Sequence, residues 1–124
     1  MKLIIAGSRG FNDSTLMKIK LRTFLNEHGF VAPNEVISGA ARGADTLGAQ
    51  WAKVRNIPVR FFHPNWDKYG KSAGYRRNEL MADAATHLVA FHDGESHDTQ
   101  HMIDIARRKD LTVKVINYLG EPTS

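Results

Sequence analysis

The chain has 124 residues, 42% of them hydrophobic, and 17 Lys and Arg against 13 Asp and Glu give a net charge of +4. That is enough for one domain with its own core, and the charge excess permits contact with nucleic acid without demanding it. There is no cysteine, so no disulfide framework or thiolate metal site exists, and the opening Met1–Ala6 run is too short for a signal peptide. No stretch reaches transmembrane length, and the expectation is a soluble cytoplasmic protein that touches no membrane.

The first strand is expected at Leu3–Ala6 and closes in Gly7-Ser8-Arg9-Gly10. A helix follows with Met17, Leu21, Phe24 and Leu25 on one face, Asn12, Asp13 or Ser14 to cap it and Gly29 to end it. The second strand, Val36–Ser38, closes in Gly39-Ala40-Ala41-Arg42-Gly43-Ala44-Asp45 and leads to a helix with Leu47, Trp51 and Ala52 inward. The third strand is Val59–Phe62, followed by a long aromatic loop from His63 to Asn78. Leu80, Met81 and Ala84 give the next helix its apolar face. Leu88–Phe91 is the fourth strand, Asp93–Thr99 the loop after it, Met102, Ile103 and Ala106 the core of another helix, and Val113–Ile116 the last strand. The domain is bounded at residues 1–117, with 118–124 a flexible tail.

Strands alternating with helices predict an α/β, Rossmann-like three-layer domain with a mainly parallel five-stranded sheet. Leu3–Ala6 and Leu88–Phe91 are continuously apolar, as strands buried on both faces should be. Val59-Arg60-Phe61 and Val113-Lys114-Val115 carry a charge in alternation, as edge strands do. The order 3-2-1-4-5 satisfies both and places a ligand crevice at the switch point between strands one and four.

A strand that ends in small residues and opens a helix exposes backbone N–H groups that suit a phosphate, and Arg9 and Arg42 add bidentate grip. Gly7, Ser8, Arg9 and Gly10 of the first loop and Gly39, Ala40, Arg42, Gly43 and Asp45 of the second are therefore expected to bind ligand. Neither loop spells the dinucleotide fingerprint or the P-loop. Trp66 and Tyr69 of the aromatic loop are expected at the base or ribose, and Arg77, Asn78, Asp93, Gly94, Ser96 and Thr99 also line the mouth. Arg9, Arg42, Lys68, Lys71, Arg76 and Arg77 face an equal number of carboxylates there, which predicts no long-range basic field. Simpler roles stand beside these: tight turns for the glycines, an Arg42–Asp45 pair, loop packing for the aromatics, capping for Arg77 and Asn78. Trp51 is expected in the core. His97 and His101 would face one metal from a helix, but a helix starting at Asp98 leaves His97 outside it, and no metal site is assigned.

Gly7–Phe11, Ser38–Asp45, Trp66–Lys71, Ala73–Asn78 and Phe91–Ser96 resemble the SLOG superfamily in its small YspA-type, YpsA-related branch, over nearly the whole chain. The resemblance implies a Rossmannoid domain that binds a nucleotide or nucleotide-derived ligand, ADP-ribose- and NAD-like ligands included, as a sensor that requires no cofactor. Distant relatives include the cytokinin-activating phosphoribohydrolases and the single-strand-binding DprA proteins. Two positions depart from the pattern. Gly39-Ala40 stands where the family has paired glycines, and Ser96-His97-Asp98-Thr99 stands where it reads Ser-x-Gly-Thr, bringing a carboxylate to a bare N–H position.

The phosphoribohydrolases carry glutamates directly after that Gly-Thr, whereas this chain has Gln100-His101-Met102. Asp45 and Asp93 remain as catalytic candidates, with nothing in the sequence to position them, and no Ser-His-Asp set or cysteine nucleophile exists. The expected function is nucleotide binding or sensing. The alternative is a nucleotide N-glycosidic hydrolase, and the third reading is a nucleic-acid-binding accessory. The expected partner is a small nucleotide, and a homodimer is left open.

Overall fold

The computed structural model describes residues 1–120. Five strands, β1 (Lys2–Gly7), β2 (Glu35–Ser38), β3 (Val59–Phe61), β4 (His87–His92) and β5 (Thr112–Asn117), form one sheet in the order β3-β2-β1-β4-β5, with every neighbouring pair parallel. The expected Rossmann-like topology is therefore the observed one. Arg60 on edge strand β3 reaches Glu35 on β2 at 3.1 Å, and Lys114 on the opposite edge is exposed.

Alternation along β1 divides the core between the two faces of the sheet. Leu3 and Ile5 pack with α1 (Ser14–Glu27) and α2 (Ala44–Val54), in a cluster that includes Met17, Leu21, Phe24 and Trp51. Ile4 and Ala6 pack with α4 (Ala73–Ala84) and α5 (His97–Arg108), against Met81, Met102 and Ile103. A short helix, α3 (Trp66–Tyr69), and a single 3-10 turn at Gly70–Ser72 fill the aromatic loop. Layers of helix, sheet and helix result, and β1 and β4 are covered on both sides.

Helix ends follow their local chemistry. Asp13 caps α1 by accepting the Leu16 N–H at 2.9 Å. Gly29, Asn56 and Asp110, each two residues past a helix, hold φ of +77°, +59° and +62°. At each, the next residue returns an N–H to a carbonyl inside the helix: Phe30 to Leu25, Ile57 to Ala52, Leu111 to Ala106.

One helical face differs from expectation. Of the expected Leu80, Met81 and Ala84, Met81 is buried and Ala84 packs against the core, but Leu80 is 58% exposed, and α4 also buries Gly74, Arg77, Asn78 and Ala82. Two polar residues, Arg77 and Asn78, take inward positions beside Met81, and Leu80 lies outside that face. Of the expected tail, residues 121–124 lie outside the described residues, while Tyr118 sets its ring edge-on against Phe11 at 4.7 Å. Among the described residues no helix is long and apolar enough to cross a membrane.

Candidate functional site

Gly7 and Gly43, one in each of the first two loops, are held by close packing against backbone, whereas Gly10 faces open space. Gly7 has φ +154°, and a Cβ there would lie 2.3 Å from the Phe91 carbonyl oxygen. Gly43 has φ +76°, and a Cβ there would lie 2.3 Å from the Ser8 carbonyl oxygen and 2.5 Å from that of Arg9. The buried Ser8 ties three segments: its N–H donates to Phe91, its carbonyl accepts from Phe11 and Ala44, and its hydroxyl accepts the Asp93 N–H at 3.0 Å. Gly7–Gly10 also opens no helix, because α1 begins only at Ser14 and its first turn is capped by Asp13. Gly7, Ser8 and Gly43 thus lock the first loop against β4 and α2.

Beneath the carboxyl ends of the central strands lies a polar cluster rather than an open crevice. Arg77 is 7% exposed. Its Nη1 donates to the Gly39 carbonyl, its Nε to Asn78 Oδ1 at 2.9 Å and its Nη2 to Asp98 at 3.4 Å. Asn78 Nδ2 donates to Asp98 Oδ1 at 3.1 Å. Asp45, 5% exposed, accepts the Ala41 N–H at 3.2 Å. Burial pushes its carboxyl up to about 6, opposed by that hydrogen bond and by the Arg77 charge. Gly39 gives this cluster its room, since a Cβ there would lie 2.8 Å from Arg77 Nη1 and 2.9 Å from Asp45 Oδ2. At the end of β1, between the β2 loop and helices α4 and α5, a cavity of only about 10 Å³ remains, bordered by Asp45, Arg77, Asn78 and Thr99.

The open cleft is displaced toward β2 and β3 and has a volume of about 590 Å³. Arg9 enters it from the loop after β1, and Gly39, Ala40 and Ala41 from the loop after β2. The β3 loop supplies His63, Pro64, Trp66 and Lys71, and the first turns of α4 and α5 supply Gly74, Tyr75, Arg77, His97 and Asp98. Trp66 is 54% exposed and presents a flat face. Three cations, Arg9, Lys71 and Arg77, meet a single carboxylate, Asp98, which is already bonded to Arg77. The balance of charge expected around the mouth therefore fails within the cleft. Three of the acids accept backbone N–H groups elsewhere: Asp13 caps α1, Asp45 is buried beneath, and Asp93 accepts from Glu95 and Ser96 at 2.8 and 2.9 Å.

Several sequence expectations change accordingly. Arg42 is exposed and lines no part of the cleft. Asp93, Gly94, Ser96 and Thr99 form the start of α5 instead: Ser96 caps it by accepting the Thr99 N–H at 3.3 Å, and Gly94 makes the preceding turn at φ +90°. The two hydrogen bonds to Asp93 hold its carboxyl below the ordinary range. Tyr69 is covered by Arg76, whose guanidinium lies 4.4 Å from the ring centre. Helix α5 starts at His97, not Asp98, yet His101 stacks on Tyr75 at 4.2 Å and meets Asn78 at 3.2 Å. Asp98 lies in that first turn without a positive φ.

Lys71, His63, Gly74 and Tyr75 were not singled out as site residues by sequence. The signals that point to them are the count of Lys71 among the cations of the mouth and the place of Lys71, Gly74 and Tyr75 in the Trp66–Lys71 and Ala73–Asn78 segments. Ala40 holds φ +63°, which accounts for a glycine being the expected residue there.

A model of the YspA, cpYpsA-related SLOG family matches residues 1–69. The chain is also similar to the Gene 61 protein of Mycobacterium phage D29, 31% identical over 129 aligned positions that cover 98% of each chain. No solved structure matches the chain significantly.

Proposed function

The chain belongs to the YspA, cpYpsA-related SLOG family, and on that premise we propose that it binds a nucleotide or nucleotide derivative and holds it without turnover, as a sensing module does. The observation that carries this reading is the cleft at the carboxyl ends of β1, β2 and β3, with three cations against one paired carboxylate and the flat face of Trp66 beside them. Arg9 and Lys71 have no carboxylate partner within ion-pair distance among the described residues, so each is available to a phosphate. Arg77 is held rigid by Gly39, Asn78 and Asp98 and adds a fixed positive charge at the floor.

Hydrolysis of an N-glycosidic bond is favoured by one observation, the Asp45 carboxyl at about 6, close to what a general acid needs. Its position argues the other way. Asp45 is 5% exposed and lies under Gly39 and Arg77, out of reach of a substrate in the cleft. Asp93 is committed to its own loop.

Calorimetric titration with AMP and ADP tests the reading. Arg9→Ala and Lys71→Ala should each weaken binding by about 1.5–3 kcal/mol, roughly 10- to 150-fold. Arg42→Ala, outside the cleft, should leave it unchanged. Equal affinity across all three variants would remove the cleft as the phosphate site, and release of free adenine from AMP by the purified chain, lost in Asp45→Ala, would establish hydrolysis instead.

A further inference from the structure

We propose that the groove between β3 and α2 is a second compartment of the same site and takes a flat, uncharged ring, so that the ligand is dinucleotide-like: two flat groups joined through a diphosphate. This inference rests on the cleft being the phosphate compartment. The groove encloses about 670 Å³ and opens directly from the cleft, with Ala40 and His63 lining both. Each compartment by itself falls in the roughly 300–1,000 Å³ range of small-molecule sites.

Its walls suit a ring. On one side Thr46, Ala49, Gln50 and Lys53 follow one another at spacings of a single helical face of α2. The small Ala49 at the middle of that face leaves the depth. On the other side Val59 and Phe61 alternate along edge strand β3. Phe61 is 50% exposed, leaving half of an aromatic side chain open to the groove, and its ring lies within 26° of parallel to His63 at 6.2 Å. The groove carries one cation, Lys53, and no carboxylate, so it offers apolar contact rather than a second anion site. At the junction stands Ala40 in a left-handed conformation that an alanine rarely holds, the kind of local strain that persists where the surroundings impose it.

Cleft and groove together thus present cations and the flat Trp66, then a passage, then an uncharged slot. Diadenosine diphosphate and ADP test this directly, since the first differs from the second by one added adenosine on the same diphosphate. By calorimetry diadenosine diphosphate should bind at least tenfold more tightly. Ala49→Phe, which fills the groove from a helix face without touching the cleft, should abolish that advantage and leave ADP affinity unchanged. Phe61→Ala, which empties the opposite wall, should reduce the advantage independently. Equal affinity of the two nucleotides for the wild-type chain, or an advantage that survives both variants, overturns the second compartment while ADP binding that depends on Arg9 and Lys71 still stands. If neither nucleotide binds, the phosphate reading of the cleft fails and the groove proposal fails with it.

Discussion

Ala40 and Asp45 each sit in a state that their side chain disfavours, and each gives a measurable consequence. Ala40 has φ +63°, a region that costs an L-residue roughly 1–2 kcal/mol and glycine nothing. Glycine's greater freedom in the unfolded chain offsets part of that gain. Ala40→Gly should therefore stabilise the fold by about 0.5–1 kcal/mol, seen as a higher urea midpoint with unchanged slope. A loss of stability would mean that the Cβ makes a contact worth more than the strain. Asp45 titrates near 6 in the folded chain against an ordinary 3.8. The folded state thus holds the proton more tightly than the unfolded one, so this group's stabilisation is full below 3.8 and declines as pH rises toward 6. Asp45→Asn removes the decline. The variant should gain on wild type by on the order of 2–3 kcal/mol between pH 4 and pH 7 in urea titrations, because every other group titrates alike in both proteins. A difference independent of pH would place the Asp45 pKa near its ordinary value.

At the scale of elements, three helices end in the same motif with three different residues in the left-handed position. Gly29 follows α1, Asn56 follows α2 and Asp110 follows α5, all with φ near +60 to +77°. Asn and Asp tolerate that region better than other side chains and glycine tolerates it best. Gly29→Ala should cost about 1 kcal/mol, whereas Asn56→Gly and Asp110→Gly should each add a few tenths. Melting temperatures of the three variants check the ordering, and a destabilised Asn56→Gly would reveal a side-chain role for Asn56 outside the motif. Helix α4 obeys a different constraint. Its inward face is interrupted by Arg77 and Asn78, both buried, and their hydrogen bonds to Gly39 and Asp98 fasten α4 to the β2 loop and to α5.

Across the whole molecule the sheet is shared by two cores, with Leu3 and Ile5 in one and Ile4 and Ala6 in the other. Neither core can lose its strands without exposing the other, so the described chain should unfold as one cooperative unit. Trp51 lies in the core on the α1–α2 face, 7% exposed. In a Trp66→Phe background its fluorescence should report the same urea midpoint as far-ultraviolet circular dichroism, which sees all the helices. Separate midpoints would show that the two helical layers come apart independently.

Strand order, layering and the burial of Trp51 were legible in the sequence because apolar runs, alternating charge and helical periodicity are local patterns with one consistent solution. Continuous apolarity forces β1 and β4 to the centre, and Arg60 and Lys114 force β3 and β5 to the edges. The family resemblance and the aromatic loop directed attention to the carboxyl end of the sheet, where Arg9, Gly39, Ala40, Trp66 and Arg77 line one cleft. Which glycine lies against a carbonyl and which arginine faces solvent had no local signature. Gly7 and Gly43 read as phosphate loops until β4 and the first loop arrive within 2.3 Å of where a Cβ would be. Arg42 and Arg77 look alike in sequence, yet one is exposed and the other is gripped by its neighbour Asn78 and by two segments distant in the chain, at Gly39 and Asp98. Such roles depend on contacts between residues tens of positions apart, and only the packed tertiary structure sets them. The same packing moved the opening from the β1–β4 switch point to the β2–β3 side, because Arg77 and Asn78 fill the crevice that the topology provides.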